Sequence, residues 1–150
     1  MKKDVTLYNV LFPLWMLLLF PELWLIVLPG NFIIDSLVLI ISMLIMKMPD
    51  KKEFYKKNIL KIYGFGLLAD AAGSVYMLIM MIGFELGRMG DEWYITVPAL
   101  LISAVLIFVC NYFITFRNCD VKERFKLALV FAVVTAPYTF LVPSGWLYGY

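Results

Sequence analysis

The sequence predicts an all-α fold: a polytopic membrane helix bundle of about five transmembrane helices, with the N-terminus cytoplasmic and the C-terminus outside. Three observations carry that expectation. Of the 150 residues, 63% are hydrophobic and 17% aromatic, well above the apolar share of roughly half that soluble domains carry. Apolar runs recur between short charged segments, each near the roughly 20 residues that cross about 30 Å of hydrocarbon as helix. Finally, 12 of the 13 basic residues fall on one side of a five-span layout: Lys2 and Lys3, then Lys47, Lys51, Lys52, Lys56, Lys57 and Lys61, then Arg117, Lys122, Arg124 and Lys126. Arg88 alone falls opposite, so the positive-inside rule sets the orientation and argues against insertion both ways round. The whole of 1–150 reads as a single integral membrane domain, with the cell membrane as its expected location and a bacterial-type layout.

Taken in order, the first run, "MKKDVTLYNVLFPLWMLLLF", has the basic start of a secretory signal. "PELW" follows where a small-residue cleavage site would stand, so this run reads as an uncleaved span over about residues 5–20. "PELWLIVLPG" comes next, with Pro21, Pro29 and Gly30; it is expected to be a loop with interfacial Trp24, the alternative being a partly inserted segment. The second span is placed at about 28–46, the third at 62–84, the fourth at 95–116 and the fifth at 127–143. Trp15, Trp24, Trp93 and Trp146 suit interfacial anchoring. Pro137 and Pro143 are placed to kink or end the last helix, with Thr135 and Tyr138 near the freed carbonyls. No internal repeat is apparent.

Composition also removes function classes. Histidine is absent, which takes away the commonest metal ligand and the side chain best suited to proton exchange near neutrality. Cys110 and Cys119 fit no close-spaced metal or redox pattern. No metal site and no cofactor are expected, there is no phosphate-binding loop, and nothing points to nucleic acid. The lipid bilayer is the first partner the sequence implies.

Two acids stand against this background. Asp35 lies in "GNFIIDSLVL" and Asp70 in "GLLADAAGSV". A carboxylate in hydrocarbon costs about 2.5–3.5 kcal/mol on insertion scales and normally faces a bundle interior, a partner or water. Counting from the charged ends puts Asp35 about 18 Å from Lys47 and Asp70 about 13 Å from Lys61, at comparable mid-membrane depth. Asn31, Asp35 and Ser42 share one face of the second span. Gly66, Ala69, Asp70, Gly73 and Met77 form a small-residue stripe on the third, where another helix can approach closely. Thr96, Ser103, Cys110 and Asn111 make a weaker polar face on the fourth. The two carboxyls need not touch, because side chains lean toward the N-terminus and these spans run in opposite directions, which pulls them apart.

With no Lys or Arg inside a span to pair with them, such acids take up a proton or a bound cation. The expected function is therefore a small integral membrane transport protein, a proton- or cation-linked carrier or channel, with Asp35, Asp70, Asn31 and Asn111 as candidate ligands for a proton, small cation or amine. So few spans imply a homo-oligomer or a larger membrane complex. The alternative is a non-catalytic subunit that stabilises or regulates a partner complex, with the acids as hydrogen-bonded glue worth on the order of 0.6–2 kcal/mol each. A third reading is enzymatic, since paired aspartates can activate water for peptide hydrolysis. "GNFIID" and "LLAD" resemble the Asn-and-Asp motifs of lipoprotein signal peptidases. The match covers a few residues of each motif: Ser36 stands where a basic residue is expected, the spacing differs, and no "VVDF"-like segment follows. Nor is "GxGD" present, as "GFGLLAD" separates the second glycine from the acid by three residues.

Overall fold

The computed structural model describes residues 21–83 and 93–141. The span expected at 5–20, the connection holding Arg88, Trp15 and Trp146 lie outside the described residues. The described chain is all-helical, with α1 (Pro21–Ile45), α2 (Lys51–Gly83), α3 (Trp93–Cys110), a π-helical turn (Asn111–Thr115), α4 (Val121–Val134) and a 3-10 turn (Tyr138–Leu141).

Three of these helical stretches, Trp24–Ile45, Lys51–Gly83 and Trp93–Thr115, are long and apolar enough to cross a membrane. Their side chains are distributed inside out relative to a soluble bundle. Ile33, Leu37, Ile41 and Leu44 on α1, and Val97, Leu101 and Val105 on α3, are exposed, whereas Asp35, Ser42, Ser74, Thr96, Ser103 and Asn111 are buried. A large exposed apolar face around a polar interior suits lipid as the surrounding solvent. The fold is that of an integral membrane protein.

The element boundaries correct the expected ones. Residues 21–29 are helical, part of α1, rather than a loop, and Pro29 is carried inside the helix. α2 begins at Lys51, not near 62, and its 33 residues extend about 50 Å, beyond what about 30 Å of hydrocarbon requires. The basic stretch Lys51–Lys61 is thus a helical extension of a span. The expected span 127–143 is instead the 14-residue helix Val121–Val134, only about 21 Å long. It stops one turn before Pro137: Thr135 caps it with a backbone N–H and its Oγ1, both donating to the Phe131 carbonyl.

The turn between α1 and α2 has its own local cause. Lys47 takes a left-handed conformation, φ 51°; its N–H donates to the Leu44 carbonyl and that of Met48 to Met43. This closes α1 with a Schellman-type cap. Met48 and Met43 are both buried and supply the apolar contact that accompanies such a cap. The C-terminus of α1 and the N-terminus of α2 therefore share one end of the bundle, joined there by the start of α4. That end carries Lys47, Lys51, Lys52, Lys56, Lys57, Lys122, Arg124 and Lys126.

Two apolar cores result. The larger, toward the basic end, gathers Leu39, Met43, Ile59, Ile62, Ile107, Phe116, Leu127 and Phe131. The smaller, at the opposite end, holds Met77, Ile95, Ala99 and Phe140. On α2 the segment Asp70–Ser74 lies between them.

Candidate functional site: a polar waist between two apolar cores

The antiparallel pairing of α1 with α2 positions both acids. Asn31 Nδ2 donates to Asp70 Oδ2 across a long 3.4 Å. One turn further along each helix, Asp35 Oδ2 lies 3.6 Å from where a Cβ on Gly66 would sit. Asn31 with Asp70 and Asp35 with Gly66 are thus successive rungs, about 6 Å apart along the axis. Each carboxylate faces a small or neutral residue on the other helix. The opposed lean of side chains on antiparallel helices produces this offset, as the sequence led one to expect.

Neither acid is satisfied. Asp35 is 5% exposed and accepts no hydrogen bond among the described residues. Asp70 has its weak contact from Asn31, while its Oδ1 is buried without a partner. No ion pair to either acid exists among the described residues. A carboxylate held between membrane helices without a cationic partner costs several kcal/mol.

The small-residue stripe of α2 serves two neighbours. Gly66 and Asp70 face α1, whereas Ala69 and Gly73 face α3. Ser103 Oγ of α3 donates to the Ala69 carbonyl at 2.8 Å, and a Cβ at Gly73 would overlap both Ser103 Oγ and the Phe140 ring. Ser74 Oγ donates to the Asp70 carbonyl, 2.8 Å, which fixes the backbone under the acid. Hydroxyls and a glycine thus hold α2 from one side, with the Asp70 carboxyl turned toward Asn31 of α1 on the other. Toward the basic end, Ser36 Oγ of α1 and Tyr55 Oη of α2 lie 2.9 Å apart and add a second polar tie between the two helices.

Of the residues the sequence singled out, Asn31, Asp35 and Asp70 are brought together and Asn111 is not. Ser103 is level with Ala69, so Asn111 lies about 12 Å nearer the basic end. Asn111 is fully buried, and its Nδ2 and Oδ1 both lack a partner, as does Thr115 Oγ1. Thr115 was missed in the sequence, although its spacing of four from Asn111 puts both on one helical face. The π-turn that holds them is pinned from outside: Arg124 Nε donates to the Tyr112 carbonyl and its guanidinium lies 4.0 Å from the Tyr112 ring centre. A cation at a helix C-terminus and over an aromatic face stabilises both groups. Next to it Cys119 is half-buried; burial first and the Glu123 carboxylate second push its thiol above the ordinary range, with Arg124 opposing.

Between the acids and Asn111 the interior is apolar. Leu39 follows Asp35 by one turn, Ile62 precedes Gly66 by one turn, and Ile107 precedes Asn111 by one turn; all three are at most 1% exposed and share one core. They form an apolar layer on the basic side of the acids. No group of His, Cys, Asp and Glu fit to hold a metal occurs among the described residues.

The class defined by fold and site is an integral membrane helix bundle with two offset, unpaired acids between its first two described helices. No family model, curated protein or solved structure matches the chain.

Proposed function

We infer that this protein is a small membrane transport protein, proton- or cation-linked, in which Asp70 and Asp35 hold the ion and Asn31 orients the Asp70 carboxyl. One observation carries the reading: among the described residues Asp70 Oδ1 is buried without a hydrogen-bond partner, one turn from a second buried acid, Asp35. Structural glue would show satisfied acids, because polar groups between membrane helices stabilise only through the bonds they make. A proton or small monovalent cation supplies the missing positive charge without needing more ligands than two carboxylates and an amide oxygen provide. The basic end then faces the cytoplasm by the positive-inside rule, and a homo-oligomer or larger complex in the cell membrane completes the pathway that so few spans leave open.

The test is a pair of measurements on the purified protein. In detergent, thermal stability is titrated with Na⁺, K⁺ and small amines at several pH values; a ligand at about 100 times its dissociation constant stabilises by about 2.7 kcal/mol. The stabilisation weakens as pH falls, since protons compete for the same oxygens. In proteoliposomes, Asp70→Asn is expected to abolish cation- or proton-linked flux and the cation-induced stabilisation while the apo protein melts at the same temperature or higher. Loss of stability with flux retained would return the acids to a purely structural role.

A further inference from the structure

A second feature lies on the outside of the bundle, away from the acids. Between α1 and α4 a cavity of about 380 Å³ opens toward lipid. Its α1 wall runs from Val38 through Ile41 to Met46, and its α4 wall from Val134 through Val130 to Lys126. The helices are antiparallel here, so Met46 is level with Lys126 at the basic end and Val38 with Val134 at the other. Each wall covers eight residue steps, about 12 Å, close to the depth of one leaflet, which is about half of 30 Å.

Shape and charge together identify the occupant. The groove is long and shallow, and apart from Ser42 and Lys126 its walls are apolar. An extended hydrocarbon chain fits. At the basic end Lys126 lines the groove, Lys122 lies one turn before it on α4, and Lys47 follows Met46 across the turn. None of these three ammonium groups makes an ion pair among the described residues. An apolar slot one leaflet deep, opening at unpaired cations, has the polarity of a phospholipid whose headgroup is anionic.

We propose that the groove between α1 and α4 binds one anionic phospholipid from the leaflet at the basic end, an acyl chain lying along Ile41 and Val130 and the phosphate against Lys126 and Lys122. The site is independent of ion binding at Asp35 and Asp70. Its function is to hold α4, too short to span the membrane alone, against α1.

The full-length protein, delipidated in a neutral detergent, is titrated with dioleoyl phosphatidylglycerol, dioleoyl phosphatidylcholine or glycerophosphate, with binding read by native mass spectrometry and thermal midpoint. Phosphatidylglycerol is expected to bind most tightly and raise the midpoint, with glycerophosphate inactive. Lys126→Ala and Lys122→Ala, both at exposed positions, each weaken phosphatidylglycerol binding roughly fivefold and leave phosphatidylcholine unchanged. Val130→Trp fills the slot and weakens both lipids; Ile41→Trp does so from the opposite wall and guards against a folding defect in the first variant. Equal affinity for the two lipids, or no loss in either Trp variant, overturns the proposal. So does stabilisation by glycerophosphate alone, or a dimer that either Trp variant dissociates while lipid has no effect.

Discussion

Asn111 is fully buried with both amide atoms unpartnered, and leaving such a group dry costs about 1–3 kcal/mol. Replacing it with an apolar side chain of similar size removes that cost. Asn111→Leu is therefore expected to raise the thermal stability of the detergent-solubilised protein by about 1–3 kcal/mol, measured by chemical or thermal unfolding, with cation binding unchanged because the acids lie about 12 Å away. The residue scale is also where the sequence was most legible. Asp35 and Asp70 are conspicuous because carboxylates are rare in apolar runs, and antiparallel side-chain lean already implied their offset. That Asn31 faces Asp70 emerged only from the structure. What spacing did not reveal is that the polar positions divide into two groups, since an apolar layer between them depends on how the helices interlock rather than on any one helix.

At the scale of elements, α2 is positioned by the absence of a side chain at Gly73. Ser103 Oγ and the Phe140 ring occupy the space a Cβ would take, so in Gly73→Ala both side chains must move, at the expense of the Ser103 bond to the Ala69 carbonyl. Overpacking of this kind costs about 1–3 kcal/mol. A fall of that size in the unfolding free energy of Gly73→Ala, with Gly64→Ala near neutral because nothing lies within 4 Å of its Cβ position, is the expected pattern. Element boundaries were less legible than residues. Hydropathy locates where a chain meets lipid, whereas helices begin and end where backbone hydrogen bonds allow, so Lys51–Lys61 continues α2 although it is too polar to be counted in a span. Pro21 and Pro29 looked like punctuation, yet both stand in α1, and proline is tolerated in membrane helices. Pro137 did act as a stop, but α4 ends short of it and is left at about 21 Å.

Taken together, the described residues form a polar waist held between two apolar cores, and on the proposed reading this asymmetry sets how an ion would reach the acids. On the basic side Leu39, Ile62 and Ile107 form a buried apolar layer one turn from Asp35 and Gly66. On that reading, an ion held at the waist reaches the basic end only when these three side chains part. Such a layer acts as a barrier by excluding water, and its strength depends on the packed volume of the side chains. Thinning it is expected to trade stability for leak. Leu39→Ala and Ile62→Ala each lose about 2–5 kcal/mol of unfolding free energy through the cavity left behind, and in proteoliposomes each raises passive proton or cation leak above that of the native protein. The leak depends on the waist as well as on the layer, so adding Asp70→Asn to Leu39→Ala suppresses it, an outcome that simple loosening of the bundle would not produce.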